Sequence, residues 1–126
     1  MGNVLGIKAS ENFIYKNINF KKGQIRFHYT GISVGHLVSD QYIDGIKYKA
    51  GGIGPFFNKD CEVENATLAE DTEIDGILYK GSSQIQYYSH GKVEIGVVAK
   101  EVFIQGDFYE AGKHVWFNKD GTIRKL

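Results

Sequence analysis

The chain has 126 residues, room for one domain with a core of ordinary size, and its 42% hydrophobic and 24% charged residues exclude a disordered chain. Fifteen basic residues offset fifteen acidic ones, which removes the electrostatic footprint of a nucleic-acid binder, and a lone Cys61 excludes an internal disulfide or a Cys-rich metal site. No run of about 18 apolar residues could cross a membrane, and "MGNVLGIKASEN" lacks the basic and apolar regions of a secretion signal; the compartment stays open, with the cytoplasm as the default expectation.

Sixteen Gly against one Pro, together with eight Tyr and eight Phe, predict many short strands punctuated by tight turns. "FNKD" occurs at Phe57 and again at Phe117, and it belongs to a wider register. Phe27, Phe57, Tyr87 and Phe117 are spaced by 30 residues, and four places after each come Gly31, Cys61, Gly91 and Gly121. Cut at those positions, the chain reads as a single repeat domain, 1–126, with units 2–30, 31–60, 61–90 and 91–120 and a closing strand 121–126.

Unit 2–30 opens on "GNVLGI", which carries Gly6 where a myristoylation site wants Ser or Thr. It then supplies Phe20, the first of an aromatic column continued by Tyr48, Tyr79 and Tyr109 behind Asn17, Gly45, Gly76 and Gly106. Ile25 begins a core column with Ile85 and Val115, on the same face as Phe27, Phe57, Tyr87 and Phe117. Unit 31–60 brings Asp40 into an acidic column with Glu11, Asp71 and Glu101, which is expected to shape a turn. Its "GGIG" at Gly51 to Gly54 resembles a phosphate loop in composition only, with no Gly-Lys-Ser/Thr behind it.

"NKDG" calls for a type I turn closed by a left-handed glycine bulge. Cys61 stands where that glycine belongs. Either this turn has changed type, which Pro55 favours, or it is the weakest hairpin of the set. In unit 61–90 the acidic stretch Asp60 to Asp75 has no Asp-x-Asp-x-Asp-Gly loop, so solvated turns are expected rather than a calcium site. Unit 91–120 ends on the only tryptophan, Trp116, before "GTIRKL" closes the chain.

Three turn signals and alternating apolar residues in each unit predict three short strands per unit and no substantial helix. The fold class is all-β, an antiparallel meander or rolled sheet, with a β-solenoid as the alternative. The amino-terminal edge carries no charge before Lys8 and should pair with something. Pairing with the chain's own last strand would close a barrel, whereas pairing with a second molecule would make a homo-oligomer across Val4 to Ile7.

With Gly-x-x-Tyr-x-x-Gly units that end in aromatic-x-x-x-Gly, nearly the whole chain resembles variants of the bacterial MORN-type β-hairpin repeats. "YEAGKHVWFNKDGTI", Tyr109 to Ile123, is similar to the cell-wall-binding repeats of secreted bacterial proteins, which use paired aromatics as ligand cages. Both resemblances imply binding, scaffolding or surface attachment. From the residues themselves, alternation sets Arg26, His28, Phe56, Asn58, Gln86, Tyr88, Trp116 and Asn118 on a second face opposite the core, with Phe56, Tyr88 and Trp116 as candidate binding residues. No catalytic set, metal site or cofactor motif is indicated. His28, His36, His90 and His114 fall in different columns, and Ser82, Ser83, Ser89 and Thr30 lack a base–acid arrangement. The expected function is a non-catalytic binding or scaffolding module with an unknown protein partner; the alternatives are a carbohydrate or cell-envelope binder and a small hydrolase.

Overall fold

The computed structural model describes residues 5–28 and 31–125, and among these it contains β-strands and turns but no helix. Strand β1 (Leu5–Ala9) is followed by a short hairpin, β2 (Phe13–Tyr15) and β3 (Ile18–Phe20), and then by β4 (Gly23–His28). The same order returns as β5 (Gly31–Val34), hairpin β6 (Gln41–Ile43) and β7 (Ile46–Tyr48), and β8 (Phe56–Phe57). It returns again as β9 (Val63–Thr67), hairpin β10 (Thr72–Ile74) and β11 (Ile77–Tyr79), and β12 (Gln84–Tyr87). Last come β13 (Val93–Val97), hairpin β14 (Val102–Ile104) and β15 (Asp107–Tyr109), and β16 (His114–Trp116).

The longer strands make one eight-stranded antiparallel sheet in the order β1-β4-β5-β8-β9-β12-β13-β16, and each hairpin is a separate two-stranded ribbon. Neighbours in this sheet all run antiparallel, which corrects the solenoid alternative, and β1 and β16 lie at opposite edges, so the chain does not close into a barrel. Val4 of the amino-terminal edge and Thr30, one of the hydroxyl residues without a base–acid arrangement, lie outside the described residues.

Each unit thus holds four strands where three were expected. The extra reversal is the hairpin tip: Lys16-Asn17, Asp44-Gly45, Asp75-Gly76 and Gln105-Gly106 all have positive φ at both residues. That is the type I′ geometry for which Asp-Gly is a strong signal. Gly45, Gly76 and Gly106, with Asn17 in the first unit, form the column that precedes the aromatic one, and the second residue of each tip comes from it.

The turns between sheet strands follow the expected chemistry. In 58–61, 88–91 and 118–121 the fourth residue donates its N–H to the first carbonyl, and the first N–H reaches the carbonyl after the turn. Asn58 Oδ1 also accepts from the N–H groups of Asp60 and Glu62. Cys61 keeps this geometry at φ 62°, so the turn has not changed type; Cys61 occupies the left-handed region at a cost of roughly 1–2 kcal/mol. Beyond each turn one residue is bulged out of the ladder: Ser33, Glu64 and Glu94 stand extra against β4, β8 and β12.

The core lies between the sheet and the row of hairpins. Ile25, Phe57, Ala66, Ile85, Tyr87, Val98 and Val115 bury their side chains with hairpin residues Ile18, Phe20, Ile43, Tyr48 and Tyr79. Backbone bonds stitch the first three hairpins to the strand that follows each. Lys21 donates to His36 and Val38 to Asn19; Lys49 to Thr67 and Ala69 to Lys47; Lys80 to Val97 and Ala99 to Leu78. At these stitches the aromatics Phe20, Tyr48 and Tyr79 bridge Leu37, Leu68 and Val98. Gly96, two residues before Val98, leaves room for the Tyr79 ring, since a Cβ there would lie 2.6 Å from Tyr79 Cδ1. Gly35 and Ala66 take the corresponding places before Leu37 and Leu68. By register with β4 and β16, the place of Gly96 in the first strand belongs to Ile7, because Ile7 faces Ile25 as Gly96 faces Val115.

The acidic column shapes turns as expected at two positions. Asp40 Oδ1 accepts from the Ala50 N–H and Asp71 Oδ1 from the Gly81 N–H, each at 2.8 Å. In the first unit Asn12 takes this part for Lys22, in place of the predicted Glu11.

Candidate functional site

The outer face of the sheet carries one transverse row fixed by register. Arg26 faces Val34, Val34 faces Phe56, Phe56 faces Asn65, Asn65 faces Gln86, Gln86 faces Ile95 and Ile95 faces Trp116. Seven strands at about 4.8 Å spacing make this row about 29 Å long. Phe56 is 39% exposed, and Gln84 Nε2 donates to Asn65 Oδ1 beside the row. Two predicted binding residues, Phe56 and Trp116, therefore share a face. Four strand steps, about 19 Å, separate them, too far for a two-aromatic cage.

Trp116 is half-buried, and the Arg124 guanidinium lies 5.1 Å from its ring centre. Its Nε1 is buried with no hydrogen-bond partner among the described residues, a desolvation cost of about 1–3 kcal/mol. The third predicted residue, Tyr88, is the first residue of a turn rather than a member of the row, and its hydroxyl donates to the Phe117 carbonyl at 2.6 Å. Simple alternation does not extend to it because β12 ends at Tyr87 and Tyr88 already opens the 88–91 turn.

On the inner side, two hairpin aromatics meet the core aromatic of the following unit, and the third does not. Phe20 meets Phe57 edge-on at 6.2 Å. Tyr48 and Tyr87 join their hydroxyls at 2.9 Å. Burial pushes the Tyr48 phenol far above its ordinary range, with the neighbouring Tyr87 adding to the shift; burial also raises Tyr87, partly offset by the Tyr48 bond.

Tyr79 and Phe117 line one cleft without ring contact, and the Tyr79 hydroxyl makes no hydrogen bond among the described residues. Its phenol too is driven far up, first by burial and then by Asp75 and Tyr87. Space follows chemistry. The Tyr48–Tyr87 junction leaves a cleft of about 190 Å³, whereas the Tyr79–Phe117 junction opens to about 970 Å³. Buried Val93 and Ile104 line the larger cleft, with exposed Asp75, His90, Lys92 and Asp120 around it. Lys92 lies 3.6 Å from Asp75. The His90 ring accepts from the Lys92 N–H at Nδ1 and reaches the Lys119 carbonyl at Nε2, an arrangement that suits the neutral imidazole protonated at Nε2. Asp120 is held below the ordinary carboxylate range by two bonds from Thr122.

Other candidates resolve structurally. "GGIG" folds against Thr67, whose Oγ1 accepts from the Ile53 N–H at 2.9 Å. No cluster of three metal-ligating side chains occurs among the described residues. Sequence reasoning missed three features: the hairpin tips, the small residues under the aromatic column, and the hydroxyl pairing. The first was legible as Asp-Gly, the second as the column Gly35, Ala66, Gly96. No family model, curated protein or solved structure matches this chain.

Proposed function

We propose that the chain is a tandem array of four MORN-like units that acts as a non-catalytic binding or scaffolding module for another protein. The observation that carries this reading is the outer row, about 29 Å of sheet face on which Arg26, Phe56, Gln86 and Trp116 alternate aromatic and polar chemistry with no hairpin layer over it. Such a mixture suits a protein interface. The strongly shifted groups support it as well, since Tyr48, Tyr79 and Tyr87 are moved chiefly by burial in the core, the signature of packing.

A carbohydrate cage is the weaker reading because Arg124 already lies over Trp116 and Phe56 stands about 19 Å away. Self-association through the β1 edge belongs to the same proposal, since β1 ends the sheet. The test is retention of a partner from the native host by immobilised protein. Phe56→Ala and Trp116→Ala should each weaken it about tenfold, while Lys80→Ala in the hairpin row leaves it unchanged. Equal retention by all variants would overturn the outer face as the interface.

A further inference from the structure

We propose that the cleft between the third and fourth hairpins, with the Tyr79 hydroxyl at its base, binds an uncharged, ring-based small molecule that presents a carbonyl or hydroxyl oxygen to that hydroxyl. The site is separate from the outer row of the sheet and does not depend on it.

The cleft holds about 970 Å³, at the upper end of the range of about 300–1,000 Å³ usual for small-molecule sites. Buried Val93, Ile104 and Phe117 give it apolar walls, and Phe103, 72% exposed, extends them to the mouth. Such walls favour a flat apolar body, because each ring face set against them leaves water. Every lining residue lies between Asp75 and Gly121. The smaller cleft one unit earlier is lined in the same way between Ile43 and Gly91, with Tyr48, Val63 and Tyr87 where this one has Tyr79, Val93 and Phe117. The opening is therefore set by residues within two adjoining units.

Its base carries an unanswered polar group. Tyr79 is 2% exposed, and its hydroxyl makes no hydrogen bond among the described residues. Among those residues Trp116 Nε1 is the unpaired side-chain polar atom wholly shut off from solvent, so the Tyr79 oxygen opens onto the cleft that it lines. Tyr48 shows what such a hydroxyl takes in this fold: its oxygen is met at 2.9 Å by the oxygen of Tyr87. At the next junction Phe117 stands in that column, which leaves the same need and adds room to meet it from outside the chain. Burial keeps the Tyr79 phenol protonated far beyond its ordinary range, so it donates and requires an accepting oxygen.

The mouth favours a neutral ligand. Asp75 and Asp120 are balanced there by Lys92 and Lys119. Lys92 lies 3.6 Å from Asp75, Asp120 accepts from the Thr122 N–H and hydroxyl, and His90 is engaged within its own turn and by the Lys119 carbonyl. A charged ligand gains no net attraction from this rim, and a charge carried to the apolar base would lose its hydration with no ion to replace it.

The probe is methyl naphthyl ketone, whose fused rings suit the apolar walls and whose carbonyl oxygen accepts; ethylnaphthalene has nearly the same shape without the oxygen. Each is titrated into isotope-labelled protein. Both should give saturable shifts at Val93, Ile104 and Phe117, joined by Tyr79 for the ketone. In Tyr79→Phe, which keeps the ring, the ketone's affinity relative to that of ethylnaphthalene should fall about fivefold, the loss of one neutral hydrogen bond. Phe56→Ala, on the outer row, should leave both affinities unchanged. Absence of saturable shifts in the cleft, a ketone preference that survives Tyr79→Phe, or probe binding weakened by Phe56→Ala would each overturn the proposal. Partner retention that fails to respond to Phe56→Ala and Trp116→Ala would sink the outer face and leave this cleft standing.

Discussion

The two junctions at Tyr48 and Tyr79 have the same backbone, the same type I′ tip and the same stitch to the next strand, yet one is nearly closed and the other open. They differ in what the ring meets: Tyr87 returns a hydroxyl to Tyr48, whereas Tyr79 shares a cleft with Phe117 and makes neither ring contact nor hydroxyl bond there among the described residues. An antiparallel scaffold tolerates either solution because the backbone bonds hold the layers together, leaving the aromatic pair to set how much polar chemistry faces the space between hairpins. Identity of fold along this chain therefore does not imply identity of site.

The comparison can be broken most severely at the shared footing. Gly96→Val should cost about 3 kcal/mol, seen as a lowered denaturation midpoint, because the buried Tyr79 ring cannot yield to a side chain 2.6 Å away. Tyr48→Phe should cost about 1–3 kcal/mol by orphaning the Tyr87 hydroxyl, while Tyr79→Phe should change stability by less than about 0.5 kcal/mol. Equal costs for those two variants would refute the claim that only one junction is hydroxyl-paired. Phe117→Tyr should gain about 1 kcal/mol if it reproduces the Tyr48–Tyr87 bond at the open junction, checked by chemical denaturation.

The finest probe is pH. Tyr48, Tyr79 and Tyr87 are raised in the fold, so the unfolded chain ionises first, from about pH 10. Their contribution is fully present below that pH and is lost as pH rises above it. Each Tyr→Phe variant should flatten this alkaline limb by about one proton. An unchanged slope in Tyr79→Phe would mean that its phenol ionises as freely in the fold as outside it.

Much of the architecture was legible because it is local. The "NKDG" turns, the Ile25, Ile85, Val115 core column and the turn-shaping acids Asp40 and Asp71 each announce themselves within a few residues. Cys61 keeps its turn because two backbone bonds across it and two more to the Asn58 side chain outweigh the strain of one left-handed residue. The extra strand in each unit was also on the page, in Asp44-Gly45 and Asp75-Gly76, but was read at too coarse a grain. The candidate site was less legible. Alternation places Tyr88 in the row, but the strand ends at Tyr87 and the 88–91 turn takes Tyr88 out of it. The pairing of Tyr48 with Tyr87 spans 39 residues, and nothing in either neighbourhood announces it.

The stitches have a last consequence, for length itself. Each joins a hairpin only to the strand that follows it, so no contact in the set measures how many links lie between the two ends. Excising residues 61–90 would join Asp60 to Gly91, restoring "NKDG" across the scar and setting Tyr48 over Phe117. The shortened chain should fold, and its surviving junction should inherit the unpaired phenol. For a fold assembled in this way the number of links is free to change by duplication or loss, while the character of each joint is set afresh by whichever two rings happen to meet.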